Sequence, residues 1–157
     1  MVKKLFGFIF LSIFIFIVSS YTNVFANDNS LIVSNDYFSF TMPKKTKGTY
    51  IAAKEKNGIY ILEKISKEKD QSGFAFSILM YKKPYDYSDM DGAKKIGELI
   101  DKNNTLYDIV LYQPREIYYG NGRKIAKNYK RIYDFAPNVE IKGINGNKYT
   151  KIQNIPK

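Results

Sequence analysis

The chain has 157 residues, with 25 Lys and Arg against 15 Asp and Glu for a net charge of +10, and it contains neither histidine nor cysteine. Those two absences exclude cysteine nucleophiles, Ser-His-Asp triads, histidine proton shuttles, disulfide staples and the usual zinc, copper, haem and iron–sulfur sites. Tryptophan is absent too, so 14 tyrosines and 11 phenylalanines carry the aromatic surface.

Lys3 and Lys4 open the chain, and Leu5–Val18 (LFGFIFLSIFIFIV) is a mostly apolar run of 14 residues. At about 1.5 Å per helical residue it is too short for a hydrocarbon core of about 30 Å. A polar stretch follows, then Val24-Phe25-Ala26, with small residues where a signal peptidase binds them. Residues 1–26 are expected to be a signal peptide cut after Ala26, an uncleaved anchor being the other reading. Residues 27–157 then form a single exported domain with no transmembrane segment after cleavage, secreted or loosely associated with the cell wall. No cysteine is available for lipid attachment. Without Lys3 and Lys4, 23 basic residues face 15 acidic ones, and this surplus of +8 favours anionic partners such as wall polymers or lipid head groups. The lysines are spread along the sequence rather than massed in one run, so no specific nucleic-acid partner is expected.

In Asn35–Pro43, Phe38, Phe40 and Met42 alternate with Ser39 and Thr41, the period of a strand with one buried face. Thr49–Lys56 and Ile59–Ile65 flank Asn57-Gly58, a pair suited to the positive φ angles of a type I′ hairpin turn. SKEKDQSG reads as a polar turn, and GFAFSILMY, with Phe74, Phe76, Ile78 and Met80 on one face, as a strand. Lys95–Ile100 and Leu106–Tyr112 flank DKNN as a further hairpin, closed by Gln113-Pro114. From Arg123 the period changes. Ile125, Tyr129, Ile132 and Ala136 fall at i, i+4, i+7 and i+11, one stripe of an amphipathic helix that Pro137 stops. Asn138–Tyr149 returns as a short strand loosened by Gly143 and Gly146. The expected fold is α+β: about six mostly antiparallel strands in meander order, with a late helix packed on one face.

Tyr85–Asp101 (YDYSDMDGAKKIGELID) is the most chemical-looking segment. Placing Gly92 at position 6 of a calcium loop puts Asp89 at 3, Asp91 at 5 and Glu98 at 12. Tyr87 then occupies the first ligand position, Asp86 is one residue out of register, and Lys94 stands where an apolar residue belongs. Calcium at Asp89, Asp91 and Glu98 is a weak alternative. Paired carboxylates for glycoside hydrolysis are another. The plainer reading is a polar connection whose acids neutralise Lys82, Lys83, Lys94 and Lys95, and no cofactor is expected. Beside it, Tyr81, Lys83, Tyr85 and Tyr87 cluster around Pro84 as a candidate binding face, or as edge residues half-buried against the sheet. Gly120-Asn121-Gly122 before the helix offers backbone N–H groups to an anion, or is a flexible turn.

The series YFSFTMPKKTKGTYIAAKEKNGIYI, GFAF, YKKPYDYSDMDGAKKIGELID and LYDIVLYQP resembles a group of small exported proteins from clostridia-like Gram-positive bacteria. That group has no assigned activity, so the resemblance carries over no functional residue. The arrangement of strands and helix is also similar to the PsbP/Mog1 type of α+β sandwich, which implies a fold and no function. The sequence thus favours a non-enzymatic exported domain that binds an unknown protein or an anionic envelope polymer. The alternatives are a small hydrolase using carboxylate, lysine or tyrosine chemistry, and a secreted protein inhibitor.

Overall fold

The structure, a computed structural model, describes residues 31–69, 71–87, 89–116 and 120–152. The segment expected to be a leader, residues 1–26, lies outside them. Alternation in Phe38-Ser39-Phe40-Thr41 does give a strand, β2 (Phe38–Thr41), with Phe38 and Phe40 fully buried. It pairs antiparallel with β1 (Ile32–Ser34) across a turn in which Asn35 Oδ1 accepts the N–H groups of Tyr37 and Phe38, both at 3.0 Å. Six further strands form a second sheet: β3 (Tyr50–Glu55), β4 (Gly58–Glu63), β5 (Phe74–Lys82), β6 (Ala93–Ile100), β7 (Leu106–Tyr112) and β9 (Lys148–Lys151). β8 (Lys142–Gly143) joins β2 instead.

The α+β class and the antiparallel pairing therefore hold, and three finer expectations do not. There are two sheets, ordered β1-β2-β8 and β3-β4-β5-β7-β6-β9, so the meander breaks after β5. β7 takes the inner place beside β5. Its centre, Ile109-Val110-Leu111, is buried, whereas β6 carries Lys94, Lys95 and Glu98 and suits a place farther out. Second, Asn138–Tyr149 is not one strand. It bends at Asn145-Gly146, both at positive φ, with Asn147 N–H bonded to Ile144 C=O at 3.0 Å, so β8 and β9 enter different sheets. Third, SKEKDQSG is not only a turn. Lys64–Glu68 forms a short helix, α1, begun by Glu63 Oε2 accepting the Ser66 N–H at 2.7 Å.

The hairpin of β3 and β4 forms where Asn57-Gly58 placed it, but the turn is not type I′. Glu55 pairs with Gly58, so Lys56 and Asn57 are the turn, and neither they nor Gly58 has a positive φ. What requires glycine at 58 is closeness to β5: a Cβ there would stand 2.5 Å from Ile78 C=O and 2.9 Å from Leu79 Cδ2. The positive-φ Asn-Gly turn of this chain is the later one, Asn145-Gly146.

α2 (Arg123–Tyr133) buries the expected stripe, with Ile125, Tyr129, Ile132 and the following Ala136 all inside. It ends in a 3-10 turn at Ala136–Asn138 that contains Pro137. Alternation on β5 sends Phe76, Ile78 and Met80 toward α2 and the small sheet, and Ser77, Leu79 and Tyr81 to the other side. The core lies on the first side, where Phe76 meets Phe40 and Phe135 at ring-centre distances of 6.3 Å each. One layer is thus the six-stranded sheet, and the other is α2 together with the small sheet. Among the described residues no helix or second sheet packs on the other face, where Ser77, Leu79 and Val110 are nevertheless buried. Among the described residues no helix is long and apolar enough to cross a membrane.

Candidate partner-binding face

That second face is lined with aromatic rings. Tyr60 of β4 stands opposite Ser77 of β5, which stands opposite Tyr112 of β7. A register shift between Ile61 and Leu62 turns Phe74 to the same side. Phe74 stacks on Tyr112 at 5.8 Å and meets Tyr60 at 6.3 Å. At the far end of β5, Tyr81 stacks on Tyr85 at 4.3 Å and lies 6.1 Å from Tyr87. Tyr85, at 49% exposure, is the most open of these rings. The sequence singled out Tyr81, Tyr85 and Tyr87, and the structure does bring them together. It missed Tyr60 and Tyr112, which join them only through strand order. It also placed Phe74 on the core face with Phe76, Ile78 and Met80, and the structure corrects this: the register shift turns Phe74 to the opposite face.

Lys83, which the sequence groups with the tyrosines and also with the lysines that the segment's acids neutralise, is ion-paired. Lys83 Nζ bonds Glu98 Oε1 directly and lies 3.4 Å from Asp108 Oδ1. Lys95 makes the same two contacts at 2.6 and 2.7 Å. Two lysines and two carboxylates so form one neutral knot at the base of the tyrosines. Hydrogen bonds from Lys83 and then Lys95 hold the Glu98 carboxyl down to about 2. Burial works against the Lys95 charge, but its bonds to Asp108 and Glu98 outweigh that and raise its pKa above the usual lysine range. Burial, then proximity of Tyr85, raises the Tyr81 hydroxyl; burial, then Asp108, raises that of Tyr87. Tyr60 is pushed up to about 12 by burial and by Glu55. These phenols stay protonated at ordinary pH and present neutral hydroxyl groups.

The acidic residues of the neighbouring loop go separate ways. Glu98 is committed to the lysines, Asp91 reaches Arg115 at 2.7 Å, and Asp89 is exposed. Among the described residues no group of three or more acidic side chains is placed to hold a metal ion. Gly92, at φ +87°, lies so close to Gln113 C=O that no side chain fits, and Gln113 N–H bonds Gly92 C=O at 3.1 Å. That contact anchors the connection as it passes the end of β7 to reach β6. Gly120 is likewise engaged, its N–H donating to Ser66 Oγ at 3.1 Å, which removes one donor from the anion reading of Gly120-Asn121-Gly122.

Compared with protein families, curated proteins and solved structures, the chain finds no match.

Proposed function

We propose that this chain is an exported, non-enzymatic domain that binds a partner protein through its aromatic face. The observation that carries the reading is the row Tyr112, Phe74, Tyr60, Tyr81, Tyr85 and Tyr87 on the sheet face opposite the core. Half-buried tyrosines offer large contact area with few rotamers to freeze, the usual make-up of a binding patch. Their support is rigid, because Lys83, Lys95, Glu98 and Asp108 neutralise one another beneath them. The same pairing argues against hydrolysis. A carboxyl held at about 2 is a poor general acid near neutral pH, and a general base of that pKa has little driving force. Export rests on Lys3, Lys4 and the apolar run Leu5–Val18 before Ala26.

The test is to recover the protein from culture medium and challenge it with cell-wall and membrane fractions and with a broad hydrolase panel. A chain starting at Asn27, selective capture of one component and no turnover are expected. Turnover lost on Glu98→Gln or Asp108→Asn would replace this reading with the hydrolase.

A further inference from the structure

The positive charge that looks dispersed in the sequence is gathered by the fold. Segments 44–47, 64–69 and 123–134 carry eleven Lys and Arg against two acids, Glu68 and Asp134. The rest of the described residues carry eleven of each sign. The whole surplus of the described domain therefore belongs to these three segments.

The three are neighbours. The 3-10 turn at Lys44–Thr46 packs against α2, and Lys64 N–H at the start of α1 bonds Thr49 C=O at 3.0 Å. α1 joins α2 through Glu63, whose Oε1 accepts from Asn128 Nδ2 at 3.2 Å. Thr46, Glu63, Ser66 and Asn128 are buried and fasten the basic elements from below. Only Lys64 and Lys130 are ion-paired, with Glu68 and Asp134; the other nine cations form no ion pair among the described residues. Lys124, Lys127 and Arg131 recur at i, i+3 and i+7, one side of about 10 Å of helix.

We propose that this α2 side is an electrostatic docking surface for an anionic lipid bilayer. The charges sit on the solvent side of two helices and a turn, none of them buried, and their spread over the breadth of three elements matches a plane of head groups better than a single strand of polymer. The aromatic residues of these segments do not serve a nucleic acid: Tyr129 is fully buried, and the Tyr133 hydroxyl is bonded to Pro114 C=O at 2.8 Å, so the bases would have no stacking platform. The large exposed apolar residues Ile32, Ile100 and Ile152 belong to other segments, so attachment rests on charge and not on insertion. Because α2 packs on the core side of the sheet, a docked domain turns its aromatic face away from the membrane. The docking itself stands independently of what that face binds.

The experiment is vesicle co-sedimentation of the protein as the cell produces it. Binding to phosphatidylcholine vesicles with about a third phosphatidylglycerol is compared with binding to pure phosphatidylcholine at low and high salt. The difference between the two compositions is expected to be large and to vanish at high salt. Reversing Lys45, Lys124 and Lys127 to Glu together should weaken it about a hundredfold or more. Reversing Lys56, Lys94 and Lys102 changes net charge equally and should weaken it only a few-fold. Equal loss in the two triple variants, equal binding to both vesicle types, or tighter binding to soluble polyphosphate or DNA in the same buffer would overturn the proposal. The six lysines are surface residues, and matched melting temperatures confirm that both variants fold.

Discussion

Glu98 is one side chain answering to two cations, and that makes its titration readable. Its carboxyl sits at about 2 in the folded protein against an ordinary value of 4.5. A depressed folded pKa adds stability that is complete above about 4.5 and is lost as pH falls toward 2. The side chain is 37% exposed, so solvent screening keeps this contribution well below what the shift alone implies. Melting temperature should therefore fall between pH 4.5 and 2, and Glu98→Gln should flatten part of that fall. Asp101, held below its ordinary value chiefly by the Thr105 N–H, likewise loses its stabilisation in acid and contributes to the remainder. An unchanged acid slope in Glu98→Gln would mean the lysines do not hold it. Gly58 supports a second expectation. Gly58→Val should destabilise by roughly 2 kcal/mol because β5 leaves no room for a side chain. Asn57→Ala should change stability by less than about 0.5 kcal/mol, while Asn145→Ala, at a positive φ, should cost about 1 kcal/mol. Urea unfolding of the three variants checks the order, and a costly Asn57→Ala would restore the type I′ turn.

Between elements, the sequence is legible wherever one local period decides the outcome. Phe38, Phe40 and Met42 on one strand face, and Ile125, Tyr129 and Ile132 on one helix stripe, needed no tertiary information to place. Strand order is different, because it depends on a comparison between two strands. β7 displaces β6 from the side of β5 through the apolar run Ile109–Leu111, and neither strand's own alternation announces that. The three tyrosines around Pro84 were readable as a local cluster; Tyr60 and Tyr112 continue it through strand order, and Phe74 through the register shift that breaks the alternation of β5. The junction of α1 and α2 was equally hidden, since nothing local marks Glu63 as the residue that makes it. In fact it is fully buried and accepts from Ser66 and Asn128. Asn128→Ala removes one donor from that buried carboxylate and should cost about 1–3 kcal/mol. Hydrogen exchange of α1 should rise with it. Unaltered exchange there would show that Glu63 holds the short helix without help from α2.

At the scale of the whole molecule, two unlike surfaces stand on opposite sides of the six-stranded sheet. One is the neutral aromatic face above the Lys83, Lys95, Glu98 and Asp108 knot. The other is the basic side built on α2, fastened through Asn128 and Glu63. The proposed function and the proposed docking together describe a connector, held by one side and recognising with the other. The most direct test places a photoreactive phenylalanine derivative at Tyr85, the most open ring of the band, and irradiates the cells that produce the protein. The same label at Lys102, on the hairpin between β6 and β7, is the control. The expected result is one discrete adduct from position 85 that is missing from position 102. No adduct at 85, or the same diffuse pattern from both positions, would contradict the claim that the aromatic face is where this protein binds its partner.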